Sequence, residues 1–123
     1  MASPSFAIPA RPTRRFRRDG VEYEGEVLFV CQPEDSPERD LEGLVAAVLA
    51  DGPYRYGDFL DLPMALYLAR DEETGDVFRI SVRDGTVRLH VLPATDPAGL
   101  RAFYDRLVDR SSAGWRVERQ IDR

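Results

Sequence analysis

The chain has 123 residues, 43% of them hydrophobic and 32% charged, a composition typical of one globular domain that buries a core without disulfides. All 17 basic residues are arginine, which excludes chemistry that depends on lysine, such as a Schiff base or a phosphate-binding lysine. Cys31 is the only cysteine; it excludes an internal disulfide and favours a cytoplasmic location.

Charge is divided unevenly along the chain. Residues 1–20 carry a net charge of +4 and three prolines, whereas residues 21–123 carry a net charge of −9. We interpret residues 1–20 as a flexible or extended basic arm and residues 21–123 as a single α+β domain. No segment approaches the roughly 20 apolar residues of a membrane span, so no membrane association is expected.

The first elements of the domain are a strand and a helix. Residues 21–31 first alternate between apolar and acidic side chains and then become fully apolar from residue 27. This pattern predicts a strand whose second half is buried on both sides. The following segment predicts a helix with Ser36 as N-cap, Pro37 at its first position and an end at Gly52. Its expected inward stripe has helical spacing and consists of Leu41, Leu44, Val45, Val48 and Leu49.

The middle of the chain leaves two points open. Residues 54–60 form a strand in one interpretation and a loop in the other. The turn at residues 71–75 allows a bulge at Gly75 that pairs Leu68 with Ile80, or a four-residue loop that pairs Tyr67 with Ile80. We favour the bulge, because it turns the leucines toward the core.

Residues 76–91, "DVFRISVRDGTVRLHV", alternate apolar and polar residues on both sides of an Asp-Gly pair. This pattern predicts a hairpin with a type I′ turn at residues 84–85. Its register places Ser81 opposite Arg88 and Arg79 opposite His90. A second helix that begins at Pro97 and a last strand over residues 115–121 complete the domain.

The predicted order is therefore β-α-(β)-β-β-β-α-β. Two helices on one face of a mostly antiparallel sheet of about five strands make a two-layer α+β sandwich. The order resembles a ferredoxin-like βαββαβ arrangement with an added strand or hairpin. The sheet face away from the helices is then open.

That open face is the candidate functional surface. We predict a partner-binding set on it, made of Tyr67, Arg79, Arg83, Arg88 and His90. One interpretation is a solvated face of exposed ion pairs between neighbouring strands, with the glutamates of residues 22–26 beside the arginines. The leading hypothesis is a small non-enzymatic module that binds another protein, or a second copy of itself, through this face.

The alternative hypothesis is a nucleic-acid-associated protein. It would use the same basic stripe together with the arginines of the arm, which are Arg14, Arg15, Arg17 and Arg18. An acidic domain with a basic arm is not the usual charge distribution of a nucleic-acid-binding fold, and the face has only Tyr67 as a base-stacking candidate.

Catalytic signals are weak in the sequence. Cys31 and His90 are the only cysteine and histidine, but they are predicted on opposite faces of the sheet. No phosphate-binding loop, nucleophile elbow or metal-binding motif is present, so no enzyme, cofactor or metal is predicted. In element order and acidic pI the chain resembles small bacterial secretion chaperones and toxin-immunity proteins, which implies an adaptor function.

Overall fold

The structure, a computed structural model, describes residues 5–9, 13–18, 20–24, 26–34, 40–58, 65–111 and 114–122. Within these residues the helices are α1 (Leu41–Asp51) and α2 (Pro97–Ser111). The strands are β1 (Thr13–Arg17), β2 (Gly20–Glu24), β3 (Glu26–Pro33), β4 (Tyr54–Asp58), β5 (Ala65–Asp71), β6 (Val77–Arg83), β7 (Thr86–His90) and β8 (Trp115–Asp122).

Six of these strands form one antiparallel open sheet in the order β4-β5-β6-β7-β3-β8. β3 and β6 run parallel to each other with β7 between them, which is the split βαβ arrangement expected from the element order. The predicted α+β sandwich is confirmed, with six strands instead of about five. Residues Tyr54–Asp58 are a strand, and β4 and β5 extend the sheet beyond β6.

Both helices contribute to a single core on one face of the large sheet, which we call the helix face. Phe29, Phe78, Leu89 and Phe103 are fully buried there. Full burial of one such side chain stabilises the fold by about 1.5–3 kcal/mol. Neither helix in the described part of the chain has the length and hydropathy needed to cross a membrane.

Helix α1 begins later than its sequence predicts. Its first residue is Leu41, and its N-cap is Asp40, whose side chain accepts a hydrogen bond from Gly43 N at 2.9 Å. Ser36 and Pro37, the predicted start, lie outside the described residues. The predicted inward stripe is confirmed, because four of its members are buried and Leu44 packs partly buried against the same core.

Helix α2 begins at Pro97 as predicted, and the carboxylate of Asp76 lies against its first turn. Asp76 Oδ1 accepts hydrogen bonds from Asp96 N at 2.7 Å and from Val77 N at 3.0 Å. A Cβ at Gly99 would overlap the other carboxylate oxygen, so glycine is required for this close approach. The carboxylate thereby joins the start of β6 to the N-terminus of α2.

The prediction of a single strand over residues 21–31 is wrong, and the segment before it also contains a strand. Residues 21–31 do not form one strand, since β2 and β3 belong to different sheets. Thr13–Arg17, inside the segment interpreted as an arm, forms β1 and pairs with β2 in a two-stranded sheet. The N-terminal segment also reaches the core, because the Phe6 ring lies 5.1 Å from Phe29 and 5.3 Å from Tyr104 between centroids.

The favoured register of the β5–β6 hairpin is wrong. Tyr67 pairs with Ile80 and Leu68 with Arg79, which is the four-residue-loop alternative. Gly75 does adopt a positive φ of 77°, but it closes the loop without adding a bulged residue. Tyr67 therefore lies on the helix face and packs against the core, while Leu68 is 40% exposed on the opposite face.

A polar network lies at the loop in this register. The fully buried Asp71 accepts hydrogen bonds through Oδ1 from Glu73 N at 2.8 Å and Thr74 N at 3.2 Å. Arg106 of α2 donates to Tyr54 Oη at 2.7 Å and to Glu73 Oε2 at 3.2 Å. These contacts connect the loop to α2, and the observed register also buries Ala69 and packs Tyr67 against the core.

The β6–β7 hairpin is confirmed in register and turn. Ser81 pairs with Arg88 and Arg79 with His90, and both turn residues have positive φ, 53° at Asp84 and 72° at Gly85. Alternate residues of both strands enter the core, so the remaining residues point away from the helices.

Candidate functional site

The side chains of the large sheet that point away from the helices form what we call the outer face. It contains a concave basin of about 700 Å³, within the size range of small-ligand sites. Five strands contribute to it. The lining residues are Glu26, Leu28, Leu66, Arg79, Ser81, Arg83, Arg88, His90, Gln120 and Ile121.

The basin brings together four of the five residues predicted to bind a partner. Arg79, Arg83, Arg88 and His90 all line it. Tyr67 does not, because the observed register of β5 turns it to the helix face. The polar stripe of the β6–β7 hairpin is thus a concave surface with an apolar floor at Leu28, which is 6% exposed.

Positive charge dominates the basin. Three arginines line it against one carboxylate, that of Glu26, in a chain with a net charge of −5. Among the described residues, no carboxylate lies within ion-pair distance of Arg79 or Arg88, and Arg79 Nε is a buried donor without a hydrogen-bond partner. Elsewhere Arg106 and Arg110 are paired with acidic groups. The basin arginines therefore retain donors for a ligand.

The other arginine contacts are weak. Arg88 Nε donates to Thr86 Oγ1 at 3.3 Å, and Thr86 Oγ1 donates to Arg83 O at 2.7 Å. Arg83 lies 3.5 Å from Asp84 in an exposed pair, which contributes less than about 1 kcal/mol. These contacts orient the guanidinium groups without neutralising the basin.

A hydrogen-bonded chain crosses three strands of the basin. His90 Nδ1 lies 3.2 Å from Glu26 Oε1, and His90 Nε2 lies 2.8 Å from Ser81 Oγ. A carboxylate can only accept, so Nδ1 carries the proton that faces Glu26. In neutral His90 the other nitrogen is then the acceptor, and the Ser81 hydroxyl donates to it.

The surroundings of His90 favour this neutral form. Burial lowers the pKa of His90 below its usual 6.5. Glu26 on β3 raises the pKa, while Arg79 on β6 and Arg88 on β7 lower it, and the net direction is downward. His90 is therefore neutral at neutral pH, and its Nε2 can accept a proton.

Cys31 lies away from this site, as the sequence predicts. It is fully buried on the helix face, where desolvation raises the pKa of its thiol to about 12. A thiol in that state is protonated and unreactive at neutral pH. Across the described part of the chain, no group of three or more His, Cys, Asp or Glu side chains is placed to hold a metal ion.

The residues of the nucleic-acid alternative lie on a different element. Arg14, Arg15 and Arg17 belong to β1, and Arg18 is an exposed residue directly after it. β1 pairs with β2 and is not a strand of the sheet that carries the basin.

Sequence reasoning did not identify the link between Glu26 and Ser81. Both were placed near the polar stripe, but Glu26 is 64 positions from His90 along the chain. Only the pairing of β3 with β7 brings them together. The alternation of apolar and polar residues in β3 predicts the face of the sheet on which Glu26 lies. It does not predict which strand pairs with β3.

No protein-family model, no curated protein and no solved structure matches the chain.

Proposed function

We propose that the protein is a small cytoplasmic adaptor whose outer-face basin binds an acidic segment of a partner protein. The observation that carries this proposal is the group of three arginines around one basin of an acidic chain. Guanidinium groups bind carboxylates through paired, charge-assisted hydrogen bonds, which give both energy and orientation. The single buried cysteine is compatible with a reducing compartment.

The shape and lining of the basin support a segment that alternates acidic and apolar residues. Leu28 and Leu66 line the basin together with Arg79 and Arg88, so carboxylates and apolar groups of one ligand both find contacts. Interfaces of this kind gain affinity from apolar contact and specificity from charge. Among the residues that line the basin, His90 has the only aromatic ring, so the basin offers little surface for base stacking, which favours a protein segment over nucleic acid.

The test is a titration of the full chain with a fluorescent peptide of alternating Glu and Leu, followed by anisotropy. Arg79→Gln and Arg88→Gln should each weaken binding about tenfold, which corresponds to about 1.4 kcal/mol. Arg101→Gln is the matched control, because Arg101 lies on α2, where it pairs with Asp105. It should change the affinity less than twofold.

Three other results would each overturn the proposal. The first is unchanged affinity in both basin variants, and the second is equal binding of a Lys-Leu peptide. The third is binding of a single-stranded oligonucleotide that is lost when Arg14, Arg15, Arg17 and Arg18 are changed to Gln, which favours the nucleic-acid alternative. Light scattering tests a different ligand for the basin. If the chain is a dimer and Arg88→Glu converts it to a monomer, the basin binds a second copy of the chain and not a partner protein.

A further inference from the structure

The hydrogen-bonded chain in the basin has the connectivity of a nucleophile, a base and an orienting acid. Ser81 Oγ and His90 Nε2 are 2.8 Å apart, and His90 Nδ1 and Glu26 Oε1 are 3.2 Å apart. Such triads occur on unrelated folds and in any chain order, so they are recognised by geometry and by the role of each group. The three residues come from β6, β7 and β3, and each lines the basin.

The same face also carries a hydrogen-bond donor that can stabilise negative charge. An ester that reacts at Ser81 develops an oxyanion, which hydrogen-bond donors must stabilise. The backbone of β6 pairs with strands on both sides, so its amides are committed to the sheet. Arg79 is two positions before Ser81 on the same face, and its buried Nε has no hydrogen-bond partner among the described residues. A buried, unpartnered donor is costly, and a ligand oxygen would satisfy it.

We propose that Ser81 is a catalytic nucleophile for carboxylic esters, with His90 as general base, Glu26 as the residue that orients it and Arg79 as the oxyanion donor. Ser81 Oγ bonds to the ester carbonyl carbon while its proton passes to His90 Nε2. The bond to the alcohol oxygen then breaks, and His90 returns the proton to that oxygen. Water, deprotonated by the same nitrogen, attacks the acyl-serine, releases the acid and restores the Ser81 hydroxyl.

The preferred substrate carries a second, ionised carboxylate. This preference rests on the proposed function, because it uses the same positive charge of Arg83 and Arg88. The reaction at Ser81 does not depend on it. An uncharged ester that lacks this carboxylate should therefore react at the same serine, but more slowly.

The experiment follows 4-nitrophenolate release from mono-4-nitrophenyl glutarate and from uncharged 4-nitrophenyl butyrate. The full chain should hydrolyse the glutarate ester at a rate that saturates with substrate and at least tenfold faster than the butyrate ester. Ser81→Ala should reduce the rate to that of the buffer, and His90→Gln should reduce it at least 100-fold. Ser111→Ala, outside the basin, should leave it within twofold.

A second measurement makes the result independent of whether each variant folds. The wild-type chain is quenched in acid during turnover, and the peptide that contains Ser81 should carry the added mass of one glutaryl group. Hydrolysis no faster than in folded Ser81→Ala, or an acyl group on another residue, would overturn the proposal. Equal rates with both esters, each dependent on Ser81, would refute only the carboxylate preference. Peptide binding through the arginines without ester hydrolysis would refute only the nucleophile.

Discussion

The two faces of strand β6 show how one backbone serves two purposes. Phe78 and Ile80 on the helix face are fully buried among apolar side chains, whereas Arg79 and Arg83 line the basin of the outer face. The side chains of the helix face are held by close apolar packing, whereas those of the outer face are held by charge interactions and hydrogen bonds. The comparison indicates that the helix face supplies most of the stability and that the outer face can vary with little cost to folding.

The largest expected effect is a difference in stability between substitutions on the two faces of β6. Phe78→Ala should lower the free energy of unfolding by about 3–5 kcal/mol, because it opens a cavity beside Phe103, whose ring lies 5.7 Å away. Arg83→Ala should cost less than about 0.5 kcal/mol, since that side chain is mostly exposed. Urea denaturation followed by the fluorescence of Trp115 measures both. Equal losses would show that the outer face is as important for folding as the core.

The next effect tests the face assignment of β5, where sequence reasoning was wrong. Tyr67→Ala should lower the free energy of unfolding by about 1–3 kcal/mol, because it removes a partly buried ring that packs against the core. Leu68→Ala should cost less than about 1 kcal/mol, since that side chain is 40% exposed. The same denaturation measurement applies. A larger loss at Leu68 than at Tyr67 would support the rejected register.

The contrast between the hairpins explains what the sequence can and cannot predict. In β6 and β7 the alternation is regular and the Asp-Gly turn allows only one register, so faces and pairs follow from local sequence. In β5 the apolar residues do not identify the face by themselves. In the observed register Asp71 accepts hydrogen bonds within the loop and lies 3.8 Å from Arg106 of α2. The contact with α2 is long-range in sequence and leaves no periodic signal.

The candidate site likewise has features that can be read from the sequence and features that cannot. Arg79, Arg83, Arg88 and His90 share a face because of strand parity, and parity can be read from the sequence. The contact of His90 with Glu26 requires β3 to be the neighbour of β7, which is a matter of sheet order. Concavity is likewise a property of the assembled sheet. Local patterns therefore predict these four members of the basin but not the chain of hydrogen bonds inside it.

The smallest effect, and the most specific to the outer face, is a dependence of stability on pH that comes from His90. The pKa of His90 is lowered in the folded protein, chiefly by burial and also by Arg79 and Arg88, against the opposing effect of Glu26. In the unfolded chain histidine titrates near its ordinary value of about 6.5. As the pH falls below 6.5, the unfolded state takes up a proton before the folded state does, so the free energy of unfolding should decrease.

His90→Gln separates this effect from the carboxylates, which titrate at lower pH. The variant has no titrating group at position 90, so its free energy of unfolding should stay flat over the interval where that of the wild type falls. The difference between the two urea-denaturation series, measured from pH 7.5 to pH 5, isolates the contribution of His90. A difference that grows in favour of the wild type on acidification would mean that the ion pair with Glu26 outweighs burial. In that case His90 would hold its proton to a higher pH than an ordinary histidine, and a smaller fraction of it would be neutral and able to accept the proton of Ser81.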